Sequence, residues 1–380
     1  MTNNDDVSLE RIREYLGRLT SQARSNLLAE IERIQLYGDD VPASEPILTQ
    51  LRAEFRKSGQ SHDRAGSPSR HFFKPIEGLF VDRPPERANS GEISRGSLSV
   101  IWEWFNQVLL PTMARDYCDG MKQALVKNDP KEIALIATGF QSKVVKCLES
   151  FLAADAGVET ARAGLGQYTS SRASYDDLTK VLAAMRLRDA LVAFSGALPS
   201  SVDKFDGEPL AKTRGLLDQF AAKHPEAMPF ALTLVTKRLK APWQLIRLAT
   251  GIASSRDVGD VKATRYAITV SMVLDQLDGK RMTLGHALKS NRLAVAKSAL
   301  AEIYAIEHTL RAGIRRLDSS DWGKRLGELM TKVAADLKTE FDALPKDTHH
   351  VLGALRRRHA ARGLMISLIH RGRDLIGLSH

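Results

Sequence analysis

The 380-residue sequence lacks the features that identify a disulfide-bonded, zinc-binding or membrane-spanning protein. It has two cysteines, Cys118 and Cys147, and neither belongs to a CxxC motif or a Cys/His cluster, so a disulfide scaffold and a zinc site are not indicated. No apolar run reaches the roughly 18 to 20 residues that a membrane-spanning helix needs. Residues 1–10 are polar and acidic, without the basic and then apolar segments of a secretory signal. We therefore expect a cytoplasmic protein with free thiols.

Sequence motifs for the common catalytic and cofactor sites are also missing. The Gly-Leu-Gly segment at 164–166 has no preceding strand, and we interpret it as a flexible connection between helices. The SxxK spacing at 201–204 stands without the companion motifs of penicillin-recognising enzymes and indicates a turn. The acidic pairs Asp39-Asp40 and Asp176-Asp177 are expected to be solvated at helix ends. The sequence thus predicts no catalytic residue, no cofactor and no metal ligand.

Helical periodicity is what the sequence does contain. Apolar residues recur at steps of three or four from Leu9 to Ile34, and similar stripes run through most of the chain after Gly96. No segment sustains the period-two alternation of a half-buried strand, so we expect little or no sheet. The predicted fold class is all-α, an irregular antiparallel multi-helix bundle in one or two bundled units, with one long loop-rich connector.

Composition divides the chain into four predicted regions. Residues 1–56 form an N-terminal helical hairpin, and residues 57–96 form a connector rich in Pro, Gly and Ser. Residues 97–256 form a central helical region, in which Asp129-Pro130 starts the second helix of a hairpin. Within it, residues 157–174 are predicted to be a loop and residues 175–198 a helix. Residues 257–380 form a basic C-terminal helical region, where residues 283–317 fit one long helix or two.

The connector contains an apolar segment with three phenylalanines, Phe72, Phe73 and Phe80. Rings of this size are seldom left in solvent, so the favoured interpretation is that they anchor the connector to the protein's own core. The alternative is that the segment docks on a partner protein, as an extended apolar peptide does. We therefore take these three residues as a candidate docking segment.

The net charge of +10 is concentrated near the C-terminus. Residues 281–380 contain 18 Lys and Arg residues against 10 Asp and Glu residues, so most of the excess lies there. The last part of this region predicts a basic amphipathic helix, with apolar residues such as Leu364, Leu368 and Ile369 on one side. Its six arginines are candidate contacts to an anion or a partner: Arg356, Arg357, Arg358, Arg362, Arg371 and Arg373.

Four interpretations of this segment stay open at the level of sequence. It packs as the last helix of the bundle, which is the favoured interpretation because most amphipathic helices pack within their own domain. Otherwise it lies on an anionic membrane surface, contacts nucleic-acid phosphates, or binds an acidic partner protein.

These observations lead to three functional hypotheses. The first is a non-enzymatic protein that mediates protein–protein interaction as a scaffold or regulatory adaptor; another protein is the expected partner, and self-association is an option. The second is an anionic-surface binder that uses the C-terminal arginines on nucleic acid or at the membrane periphery. The third is an all-α enzyme whose site is assembled from helices distant in sequence, which no local motif reveals.

Overall fold

The computed structural model describes residues 67–342, except Asn128 and Asn291, together with the isolated positions Leu27 and Ile47. Fourteen α-helices lie within this part of the chain. In chain order they are α1 Pro68–Phe73, α2 Arg95–Trp104, α3 Pro111–Lys127, α4 Pro130–Ala153, α5 Gly157–Gly166, α6 Ser174–Arg186, α7 Arg188–Ala197, α8 Gly207–Lys223, α9 Met228–Thr236, α10 Arg247–Thr250, α11 Val258–Lys262, α12 Ile268–Lys289, α13 Leu293–Gly313 and α14 Asp321–Asp342. The sheet is limited to two paired parallel strands, β1 Phe80–Val81 and β2 Ile93–Ser94.

The chain divides into two compact units, each discontinuous in sequence. The first comprises Met1–Leu198 and Leu217–Val235, and the second comprises Pro199–Leu216 and Thr236–His380. Helices α8 and α9 each contribute residues to both units. The predicted all-α fold class, a multi-helix bundle with little sheet, is confirmed.

A hairpin of α3 and α4 organises the first unit. Asp129 caps α4, because its Oδ1 accepts hydrogen bonds from the N–H groups of Lys131 at 2.9 Å and Glu132 at 3.1 Å. Pro130 occupies the first helical position, where its missing N–H costs no hydrogen bond. The Asp-Pro start predicted from the sequence is therefore confirmed.

Three long helices, α12, α13 and α14, organise the second unit. Lys280 of α12 and Glu302 of α13 form an ion pair at 2.7 Å across an antiparallel hairpin. Arg281 of α12 pairs with Asp336 of α14 at 2.9 Å. Asp275, which precedes Arg281 on α12, pairs with Arg325, which precedes Asp336 on α14. This order of contacts makes α12 and α14 parallel. The segment 283–317, which fitted one helix or two, is interrupted between Lys289 and Leu293.

The prediction of a loop over residues 157–174 was wrong, because α5 occupies its first half. Gly157, Ala161 and Leu165 recur at steps of four and form the buried face of this helix. An added Cβ at Gly164 would lie 2.5 Å from Nε1 of the fully buried Trp104. The small residues therefore let the indole approach the helix backbone, and the Gly-Leu-Gly segment is not a flexible connection.

The helix predicted over residues 175–198 is divided in two. Helix α6 ends at Arg186 and α7 begins at Arg188, with Leu187 leaving the helical conformation at φ −103° and ψ 13°. This interruption turns the chain, so that α7 starts beside α4 and brings Arg188 into contact with it. None of the helices in the described part of the chain has the length and apolar character needed to cross a bilayer.

Candidate functional site

The structure places the three phenylalanines of the connector in the core of the first unit. Phe72 is fully buried, and Phe73 and Phe80 are 4% and 5% exposed. The Phe72 ring contacts Trp102 and Phe140 with ring centroids 5.6 Å apart in each case. The arrangement is that of an anchor to the protein's own core, so these side chains present no free surface to a partner.

Hydrogen bonds hold the same segment to α3 and α4. The Tyr117 hydroxyl donates to the carbonyl of Pro68 at 2.8 Å, and Gln141 Nε2 donates to the carbonyl of Phe72 at 2.7 Å. Burial raises the pKa of Tyr117, whose protonated hydroxyl donates this hydrogen bond. Arg188 Nη1 donates to Gln141 Oε1 at 2.8 Å, which links α7 to the anchor.

The six C-terminal arginines and the pair Asp39-Asp40 lie outside the described residues. The proposed contacts of those arginines with an anion or a partner therefore stay a prediction.

Asp177 is fully buried, so the prediction of a solvated acidic pair was wrong for this residue. Its Oδ2 accepts hydrogen bonds from the Ser97 hydroxyl at 2.7 Å and from the Ser94 N–H at 3.1 Å. Its Oδ1 accepts from Lys180 Nζ at 3.1 Å. The β2–α2 segment covers Asp177 at the start of α6, and the buried donors of that segment need an acceptor. The adjacent Asp176 is exposed.

We call Ser94, Ser97, Asp177 and Lys180 the Asp177 clamp. Burial raises the pKa of Asp177, and the hydrogen bonds from Ser97, Lys180 and Ser94 oppose that rise. Ser97 is fully buried and its hydroxyl donates to the carboxylate, so solvent and substrate do not reach it. The arrangement can join β2 and α2 to α6, but it cannot present a nucleophile.

Two exposed aliphatic side chains lie close to the point where Arg188, at the start of α7, contacts α4. Arg188 donates to the carbonyl of Thr138 and to Ser142 Oγ, both at 3.3 Å. Leu135, one turn before Thr138 on α4, is 75% exposed, and Val192, one turn after Arg188 on α7, is 50% exposed. Residues three or four apart share a helix face, so the two apolar side chains flank the Arg188 contact.

A glycine lies one helical turn after each of these two side chains. Gly139 on α4 and Gly196 on α7 are exposed, and a Cβ added at either position would meet no atom within 4 Å. We define the α4–α7 surface by six exposed residues: Leu135, Thr138, Gly139, Ser142, Val192 and Gly196. Arg188 contacts Thr138 and Ser142 within this surface, and Leu135 and Val192 lie one helical turn from that contact on the two helices.

Three exposed lysines of α4 border this surface, namely Lys131, Lys143 and Lys146. None of the ion pairs found in the described ranges includes any of them. Their ammonium groups therefore remain available to an acidic partner.

Sequence analysis missed the α4–α7 surface, although one signal was present. Leu135 lies off the apolar stripe of α4 that contains Phe140, Val144 and Leu148, which are buried. A large aliphatic residue on the polar side of an amphipathic helix marks an exposed apolar side chain, and a contiguous group of such residues indicates an interaction site. Val192 and the turn that brings α7 to α4 gave no comparable signal.

In the part of the chain that the structure describes, no group of three or more His, Cys, Asp or Glu residues is arranged to hold a metal ion. No protein family, curated protein or solved structure matches the chain.

Proposed function

We propose that this chain is a non-enzymatic cytoplasmic protein that binds another protein, as a scaffold or regulatory adaptor, through the α4–α7 surface. The observation that carries the proposal is the exposure of Leu135 and Val192 on two helix faces that meet at Arg188. Exposed apolar groups supply binding free energy when a partner covers them.

The polar groups inside the first unit support a structural rather than a catalytic use. Ser97 and Asp177 bond to one another, and Gln141 bonds to the backbone of the anchored segment. The thiols of Cys118 and Cys147 are free, which suits a reducing compartment such as the cytoplasm.

Affinity capture tests the proposed function. The purified full chain is immobilised, extract of the source organism is passed over it, and retained proteins are identified by mass spectrometry. We expect at least one of them, once purified, to form a complex of fixed stoichiometry with the chain in size-exclusion chromatography with light scattering. Repeated captures that yield no directly binding protein would contradict the proposal.

A second candidate function is binding to an anionic surface through residues 351–380. This segment contains six arginines but only one acidic residue, Asp374. If Arg356, Arg357, Arg358 and Arg362 each contact a phosphate, DNA affinity should fall about 100-fold between about 50 and 200 mM salt. Changing all four to alanine should weaken binding to DNA or to phosphatidylserine vesicles and flatten that salt dependence.

The matched control for this prediction removes the same number of cations from exposed sites elsewhere in the chain. It replaces Arg115, Lys122, Lys223 and Lys332 with alanine. If both variants bind DNA and vesicles as the wild type does, the C-terminal arginines do not bind anionic surfaces.

A further inference from the structure

We propose that the α4–α7 surface binds an amphipathic helix of another protein in which acidic residues flank the apolar stripe. The proposal rests on the protein-binding function proposed above and adds the chemistry of the partner. A helix is the expected element because apolar side chains at a spacing of three or four lie on one of its faces, which can lie along the exposed face of α4 that carries Leu135.

The shape of the surface suits close approach of a helix backbone. Leu135 on α4 and Val192 on α7 are exposed apolar side chains, and a Cβ added at Gly139 or Gly196, one turn after each of them, would meet no atom within 4 Å. Small residues at a helix contact allow the two backbones to come near each other, so more atoms reach van der Waals contact. No charged residue of α7 follows Asp189 to interrupt this area.

The charges at the two ends of the surface determine the sign of the partner. At 100° per residue, Lys131, Leu135, Ser142 and Lys146 fall within about 60° of one another around α4. The two lysines are 15 residues apart, which corresponds to about 22 Å along the helix axis. A partner helix of about four turns that lies along this line meets a cation at each end.

The acidic residues of α4 do not cancel these cations. Glu132 pairs with Lys127 at 3.4 Å, and Glu149 pairs with Arg186 at 3.0 Å. The charge left without an ion pair on this face of α4 is therefore positive, and an acidic partner complements it.

The same charge disfavours two other occupants. In a symmetric dimer of this chain, the α4 faces of two copies would bring like charges together. A nucleic acid would leave Leu135 and Val192 against phosphates, and no aromatic side chain is present in this surface to stack on a base.

Two designed peptides test the proposal. Both are labelled 18-residue helices whose leucines are spaced i, i+3, i+4 and i+7, so that they form one apolar stripe. One peptide carries glutamate beside the leucines, and the other carries lysine at the same positions. We expect the glutamate peptide alone to bind the full chain in fluorescence anisotropy. Combining Leu135→Asp with Val192→Asp should weaken that binding by at least about tenfold, or about 1.4 kcal/mol.

Charge reversal provides an independent readout. Combining Lys131→Glu with Lys146→Glu should weaken binding of the glutamate peptide and allow the lysine peptide to bind. The matched control is Val295→Asp, because Val295 is 44% exposed in the second unit and lies in the first turn of α13, where an acidic side chain is favoured. This control should leave peptide binding unchanged.

Three outcomes would overturn the proposal: equal binding of the two peptides, binding of neither, or binding that the aspartate variants leave unchanged. Circular dichroism identifies variants that have lost their helical fold. Light scattering shows whether the chain self-associates instead, which would favour a second copy as the occupant. If a captured natural partner binds the Leu135→Asp, Val192→Asp chain as tightly as the wild type, the surface proposal fails while the protein-binding function stands.

Discussion

Replacing Asp177 with alanine is expected to lower the free energy of unfolding of the first unit by about 3–5 kcal/mol. The substitution leaves the ammonium group of Lys180, whose side chain is only 16% exposed, without its carboxylate partner. It also leaves the buried Ser97 hydroxyl and the Ser94 N–H without the acceptor they use. Each group keeps the cost of its removal from water and loses the interaction that offset it.

Urea unfolding followed by tryptophan fluorescence measures this loss, because Trp102 and Trp104 lie in the same unit as the clamp. The matched control is Asp176→Ala, which removes an exposed carboxylate at the start of the same helix. Its expected cost is only about 0.3–1 kcal/mol, from the interaction of the carboxylate with the helix dipole. Equal losses in the two variants would show that the clamp contributes nothing beyond a charge at a helix end.

The same prediction has a pH dependence whose sign follows from the raised pKa of Asp177. As the pH rises above the ordinary carboxyl value of 3.8, the unfolded chain releases this proton before the folded chain does. Ionisation then favours the unfolded state, and stability falls until the pH has passed the folded-state pKa. Asparagine does not titrate, so the stability of wild type relative to Asp177→Asn should decrease over this interval. A difference that is constant or grows with pH would contradict the burial argument.

Local patterns in the sequence were sufficient to predict the all-α fold class and some helix boundaries. The start of α4 follows from Asp129 and Pro130, which act within one helical turn of each other. The burial of Asp177 depends on Ser94 and Ser97, which lie 83 and 80 residues earlier. Sequence spacing carries no information about such a contact, so the favourable position of an acid at a helix start suggested a solvated residue.

The errors over α5 and α7 have a similar physical origin. Glycine and alanine have low apolar surface, so the stripe of Gly157, Ala161 and Leu165 resembles a loop in composition. The close approach of the Phe151 carbonyl to Gly157 and of Trp104 to Gly164 shows why the helix needs small residues there. The α4–α7 surface likewise depends on the break at Leu187, a tertiary feature that helical periodicity does not predict.

The remaining large effect is expected from Phe72→Ala, which should reduce the free energy of unfolding of the first unit by about 3–5 kcal/mol. Phe72 is fully buried, and its ring also meets Phe73 with centroids 4.8 Å apart and Phe105 with centroids 5.9 Å apart. Alanine removes these contacts and leaves a cavity, because Gln141 still fixes the backbone of the segment at the Phe72 carbonyl. Closure of that cavity is therefore restricted.

The measurement separates the two interpretations of the connector. If Phe72 anchors the chain to its own core, urea unfolding detects the loss in the isolated protein, whether or not a partner is added. If the segment instead docks on a partner, Phe72→Ala leaves the stability of the isolated protein unchanged and weakens only the complex. Leu135→Ala is the control, because truncating a 75% exposed side chain should change stability by no more than about 0.5 kcal/mol. The pair of variants thus assigns Phe72 to folding and Leu135 to binding, and a loss of stability confined to Leu135→Ala would reverse that assignment.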